Sequence, residues 1–192
     1  VKVNLQKVVF RMTSAHWIWV ANWVLLKQIG PSSGDQLPMV SLWDGLPTQW
    51  DSERNIKWRC ELPGEGWSSP VVSGNQVYLT AAVPQANGGY RLVLLIVDAI
   101  SGRLLPAVEL FTQHADAPGI HTKNSHASPT PIIDSDYIYL HFGHQGTACC
   151  RLDGTVVWRN SELAYRPVHG NGGSPVVTKS RLIFSRDRKS VV

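Results

Sequence analysis

At three places along the chain a small hydroxylated residue and a proline lead into two β-branched residues, a polar turn and a second apolar run. These are Ser69-Pro70-Val71-Val72 to Val77-Tyr78-Leu79, Thr130-Pro131-Ile132-Ile133 to Ile138-Tyr139-Leu140, and Ser174-Pro175-Val176-Val177 to Leu182-Ile183-Phe184. A proline at a strand's first residue removes no ladder hydrogen bond. The β-branched pair suits a pleated buried surface, and Ser73-Gly74-Asn75 or Asp134-Ser135-Asp136 supplies turn chemistry. Each segment therefore predicts a β-hairpin.

Two further strands are predicted after each of the first two hairpins. Leu92 to Val97 runs through Asp98-Ala99-Ile100-Ser101-Gly102 into Arg103-Leu104-Leu105, and Ala148 to Leu152 runs through Asp153-Gly154 into Thr155-Val156-Val157-Trp158. Aligning Gly102 with Gly154 places Pro106 opposite Trp158, and Asn55-Ile56-Lys57-Trp58-Arg59 reads as the closing strand of a preceding unit. The unit is four strands long. Pro70, Pro131 and Pro175 lie 61 and 44 residues apart, against the roughly 40 to 50 residues of a four-stranded propeller blade. Two insertions, Val83 to Tyr90 and Thr112 to Lys123, account for the longer first spacing and belong on connecting loops. The alternative to a repeat is an antiparallel sandwich, which does not require strands grouped in fours.

Composition agrees with many short strands: 16 Gly and 12 Pro among 192 residues, 43% hydrophobic and 17% charged. The net charge of +4 is shared evenly by the two halves. That excludes the basic stripe of a nucleic-acid binder, since the one dense basic run is Arg186, Arg188 and Lys189. Lys2, Lys7 and Arg11 precede an apolar stretch from Ala15 to Leu26 with the polarity of a secretory signal, interrupted by His16 and Asn22. It falls short of the roughly 20 apolar residues a membrane span needs. Cys60, Cys149 and Cys150 form neither a disulfide framework nor a zinc motif.

The four-strand unit, its Pro-Val-Val opening, the Asp-x-x-Ser/Thr-Gly turn and a closing Trp resemble the PQQ-like repeat of quinoprotein propellers. Residues 45–185 are similar to the PQQ-binding-like β-propeller repeat proteins. The resemblance is carried by Gly45-Leu46-Pro47-Thr48-Gln49-Trp50, Pro63-Gly64-Glu65-Gly66-Trp67-Ser68-Ser69-Pro70, Asn124-Ser125-His126-Ala127-Ser128-Pro129-Thr130-Pro131 and Val168-His169-Gly170-Asn171-Gly172-Gly173-Ser174-Pro175. It implies an all-β propeller of seven or eight blades in a longer parent chain, with about two four-stranded antiparallel blades and the start of a third here. Residues 1–44 are then a poorly defined N-terminal segment, 45–187 a partial propeller and 188–192 a tail. Departures are Pro106 in place of the closing Trp, and 22–36 in place of the family's Trp-x-x-x-Arg-Gly-Pro opening.

Five histidines, His114, His121, His126, His141 and His144, fall in one stretch with Asp116, Lys123 and Asn124 interspersed, and His169 follows. Imidazole clusters suit metals, but the chain has no HExxH and no matched carboxylate. The expectation is polar loop residues with no metal set. His141 and His144, three apart on a strand, point to opposite faces. Cys149 and Cys150 alternate faces in the same way and are expected unbonded, although some quinoprotein dehydrogenases join adjacent cysteines against the cofactor. Gly170-Asn171-Gly172-Gly173 reads as a tight loop feeding the third unit. The candidate ligand-binding residues are His121, Asn124, His126, His144, His169, Asn171 and Trp67; no catalytic residue is assigned.

What the resemblance implies is a non-catalytic binding or scaffolding module, periplasmic or secreted. Its partner would be a protein, peptide or saccharide, alongside the remaining blades of the parent, with no nucleic acid and no membrane span. The rival is a PQQ-dependent oxidoreductase of the alcohol dehydrogenase kind. PQQ enters by resemblance alone, because no stacking Trp, calcium ligands or catalytic Asp can be assigned.

Overall fold

The strands begin where the prolines release the chain. The computed structural model describes residues 7–12, 18–21, 56–162, 165, 167 and 169–185. The Gly45–Trp50 stretch, most of the N-terminal segment and the 188–192 tail lie outside the described residues. The strands are β1 (Lys7–Met12), β2 (Ile18–Ala21), β3 (Ile56–Leu62), β4 (Val71–Ser73), β5 (Gln76–Pro84), β6 (Tyr90–Asp98), β7 (Val108–Gln113), β8 (Ile132–Asp134), β9 (Tyr137–His141), β10 (Thr147–Arg151), β11 (Val156–Asn160), β12 (Val176–Thr178) and β13 (Arg181–Ile183). Among the described residues the one helical element is a 3₁₀ turn, Gly143–Gln145, and no helix is long and apolar enough to cross a membrane.

The chain is all-β. β4-β5-β6-β7 form one four-stranded antiparallel sheet and β8-β9-β10-β11 a second, each in sequence order, and β12 pairs with β13 alone. The three proline-led hairpins thus fall in three separate sheets. The N-terminal segment, where the residue pattern gave no strands, contributes β1 and β2. β1 lies between an antiparallel β2 and a parallel β3. The Asn55–Arg59 run is found as β3, which starts at Ile56, runs three residues past Arg59 to Leu62 and lies on the outside of that sheet.

Each hairpin turns in two residues, Gly74-Asn75, Ser135-Asp136 and Lys179-Ser180. The first turn residue is left-handed every time, with φ of 55°, 54° and 50°. A positive φ confined to the first central position is the type II′ preference for glycine, and a side chain there is strained by about 1–2 kcal/mol. Ser135→Gly is therefore expected to stabilise the protein by about 0.5–1 kcal/mol, after the added unfolded-state entropy of glycine is subtracted. A urea titration showing an unchanged or lower midpoint would refute this.

One expected strand is displaced. The fourth strand of the first sheet is Val108–Gln113, not Arg103-Leu104-Leu105. Asp98 Oδ1 accepts from the Ile100 and Ser101 amides at 3.1 and 2.7 Å, folding the turn as its sequence suggested. The chain then makes only an isolated bridge, Val97↔Leu104, before Pro106, which has no amide to donate. Pairing resumes at Val108, with a bulge opposite Leu92/Val93. The insertions shrink accordingly: the first is the turn between Pro84 and Tyr90, and the second starts after Gln113.

The glycine alignment shifts by two residues for the same reason. A Cβ on Gly102 would lie 2.6 Å from Trp58 Cδ2, and one on Gly154 would lie 3.0 Å from Val108 Cγ2. Val108, not Pro106, occupies the place that Trp58 holds over the preceding turn.

The first four-stranded sheet is covered on both faces. Val77, Leu79, Ala81, Val93, Leu95 and Val97 pack with Cys60 and Leu62 of β3. Their sequence neighbours Tyr78, Ala82, Leu92, Leu94 and Ile96 pack with Ile138, Leu140, Ala148 and Cys150 of the second sheet. Two-sided burial explains why Leu92–Val97 is an unbroken apolar run with no polar alternation. On β12–β13, Val176 and Ile183 are 55% and 52% exposed.

A repeated polar joint links successive units. The Ser69 amide donates to Thr130 Oγ1 at 3.0 Å, and the Thr130 amide donates to Ser174 Oγ at 3.0 Å. These are the hydroxylated residues that precede each proline. Deeper in the same interface the Thr80 hydroxyl donates to the Ala127 carbonyl at 3.1 Å, and the Tyr78 hydroxyl to that of Leu152 at 2.9 Å.

Candidate functional site

The loops that follow β7 and β9 and the segment that precedes β12 meet at one end of the sheets. Asn124 pins them. Its Oδ1 accepts from the Ser125 amide at 2.9 Å and from the Ser128 hydroxyl, while its Nδ2 donates to the carbonyl of His169 at 2.9 Å and reaches that of Asn171 at 3.4 Å. The His121 amide also donates to the His169 carbonyl, at 3.2 Å. Gly170 permits this approach: its φ is 85°, and a Cβ would sit 2.7 Å from Ile120 Cγ2 and 2.8 Å from Asn124 Nδ2.

Two neighbouring recesses result. In the inner, narrow one, Gln113, His126, His144 and Asn171 converge beside Phe142 and Gly170. Gln113 Nε2 donates to His126 Nδ1 at 3.0 Å, and the His126 ring leans on Tyr90 with centroids 4.6 Å apart. Gln145 Nε2 lies 3.0 Å from His144 Nε2. Burial lowers the pKa of His126, helped by the charge of His144, and burial alone lowers that of His144; both therefore favour neutral imidazole. The Tyr165 hydroxyl bonds to Asn171 Oδ1. Gln113 Oε1 and Asn171 Nδ2 are buried without a hydrogen-bond partner, and Gln113 is only 4% exposed. Buried polar atoms in native proteins are nearly always paired, and the space between them, about 10 Å³, is of the size that one water molecule fills.

The outer recess, of about 480 Å³, is lined by His121, Lys123, Asn124, His169 and Gly172. The two imidazoles stand edge to face with centroids 5.7 Å apart. His121 Nδ1 accepts from the Lys123 amide at 3.1 Å, which leaves the neutral ring's proton on Nε2.

Six of the seven sequence candidates, His121, Asn124, His126, His144, His169 and Asn171, line these recesses. Trp67 does not. Its amide donates to the Ala127 carbonyl at 3.2 Å and the residue is 37% exposed, but it lines neither recess. His114 is exposed in a turn closed by the Ala117 amide. His141 is buried elsewhere, stacked on Phe184 with centroids 4.1 Å apart and bonded through Nδ1 to Thr147 Oγ1 at 2.8 Å.

His141 and His144 do not share a strand. Gly143, at φ 63°, opens the 3₁₀ turn two residues past the end of β9, and the Asn171 carboxamide fills the space its Cβ would need. His144 is thereby carried round the 3₁₀ turn toward His126. Sequence reasoning missed Gln113, which it took for part of an insertion. A polar residue at the inner end of a strand carries no local signal of its burial.

Among the described residues no site for PQQ with its calcium ion is assembled. Among the described residues no three His, Cys, Asp or Glu side chains are grouped to hold a metal ion. Cys149 and Cys150 are free buried thiols on one strand. Cys150 packs into the core between the two four-stranded sheets, where burial chiefly pushes its pKa up to about 11. Cys149 is bracketed by Tyr139 and Trp158, its partners on the flanking strands. Neither thiol is placed against a cofactor-sized opening. Compared with protein-family models and with curated proteins, the chain matches none of either.

Proposed function

We propose that this chain is a PQQ-like β-propeller repeat module, its sheets packed as successive blades, acting as a non-catalytic, secreted or periplasmic binding or scaffolding protein. The blade reading is supported by the hydroxyl joint that recurs between units and by the burial of the first four-stranded sheet on both faces. The binding reading rests on one observation. The connecting loops are cross-pinned by Asn124 beside a recess of about 480 Å³ lined by His121, Lys123 and His169. Neutral imidazoles, carboxamides and a backbone held by glycine suit recognition through hydrogen bonds, and the partner is a peptide, protein or saccharide rich in such groups.

Two measurements test this. Wild-type protein on an array of peptides and oligosaccharides is expected to retain a ligand, and Asn124→Ala to weaken it by about tenfold or more, the loss of one or two interactions made to a pinned loop. Protein incubated with PQQ and calcium, then desalted, is expected to carry no quinone absorbance and to show no dye-linked alcohol oxidation. Retained quinone with oxidation would replace the binding module by the oxidoreductase reading.

A further inference from the structure

We infer that the outer recess between His121, Lys123 and His169 receives an oxyanion, the carboxylate or phosphate end of the ligand; this deepens the binding-module reading and rests on it. The lining offers donors and positive charge without opposition. Lys123 contributes an ammonium, His121 and His169 contribute imidazole edges, and no carboxylate lines the recess. The one carboxamide there, Asn124, already uses both its atoms to hold the loops together, so it shapes the recess and leaves recognition to the three basic side chains.

Three features make this more than a chance cluster of surface bases. First, the backbone bond from Lys123 to His121 Nδ1 fixes the ring's tautomer, so that Nε2–H is the donor presented. Secondly, His121 and His169 are brought to 5.7 Å from positions far apart in sequence by the His121 amide to His169 carbonyl bond. The donors are thus arranged before any ligand arrives, and ordering them on binding has little entropic cost. Thirdly, the inner recess, with its unused Gln113 Oε1 and Asn171 Nδ2, adjoins through residues 120–125 and 169–172. The space beside that pair, about 10 Å³, has room for one water, through which a ligand seated outside reaches it. Charge-assisted hydrogen bonds from imidazole and ammonium to an oxyanion are the strong ones.

The test is an NMR titration of the histidine ring resonances with inorganic phosphate and, separately, with succinate, at constant ionic strength. Saturable shifts are expected at His121 and His169, with the exposed His114 unmoved, and the His169→Gln/Lys123→Met double variant is expected to weaken the apparent affinity by about tenfold or more. Saturation by phosphate alone assigns a phosphate end, by succinate alone a carboxylate end, and by both a site for either. Two results would overturn the inference: no saturation by either anion at about 10 mM, beyond the weak end of specific binding, or a double variant that binds as the wild type does. A ligand found on the array whose binding ignores the double substitution would refute the anion site and leave the binding module standing.

Discussion

Leu95→Ala and Leu94→Ala are each expected to lower the unfolding free energy by about 2–5 kcal/mol, the range for removing a large side chain from a packed core. The two residues are consecutive on β6 and fully buried, Leu95 against β3 and Leu94 against the second four-stranded sheet. On a strand with one wet face, one of any two neighbours is cheap to truncate, so equal penalties at adjacent positions report a layer covered on both sides. Val157, 47% exposed on β11, is the control, with an expected change within about 0.5 kcal/mol. Urea denaturation monitored by tryptophan fluorescence supplies the numbers. A change below about 1 kcal/mol at either leucine would remove the two-sided packing on which the blade reading stands.

Acid is expected to weaken the protein well before its carboxylates protonate, and His141 is the reason. Burial lowers its pKa from 6.5 to about 4, and its Nε2 has no partner that would stabilise a charge. The folded value lies below the unfolded one, so between them the unfolded chain binds a proton that the folded chain refuses. The stabilising contribution is complete above about pH 6.5 and is lost as pH falls toward 4, amounting to about 2 kcal/mol between pH 7 and pH 5. His126 and His144, also lowered by burial, add to the slope in the same direction. His141→Phe keeps a ring to stack on Phe184 and removes the titration. Its stability, measured at pH 7, 6 and 5, is expected to fall less steeply than the wild type's by about 2 kcal/mol over that span. Identical slopes would show that His141 is protonated inside the fold.

The sequence reading succeeded where local chemistry decides structure. Ser/Thr-Pro, two β-branched residues and a two-residue turn specify a hairpin without outside help, and all three were found at the expected positions. The Asp98 turn was equally legible, because a carboxylate accepting from two following amides is a local device. The fourth strand was not. Arg103-Leu104-Leu105 is as apolar as Val108–Gln113, and the choice fell to Pro106 and to the bulge, which depends on β6.

The site divides the same way. A dense set of histidines marked the loops, and six of the seven candidates do line the recesses. What separates His144 from His141 is the left-handed Gly143 and the Asn171 side chain packed on it, a contact between residues 28 positions apart in sequence. Trp67 stands beside a repeat motif, and only tertiary placement shows that its amide donates to the Ala127 carbonyl of the next unit.

The hydroxyl joint has a directional consequence. Thr130 accepts from the unit before it and donates to the unit after it. The middle unit therefore carries a socket on one side and a plug on the other, made by the same residue. Contacts of this head-to-tail kind leave assembly open to further members. A gene segment copied in tandem would deliver a new unit with both halves of its connector already in place, so the architecture can lengthen by duplication without first having to invent an interface.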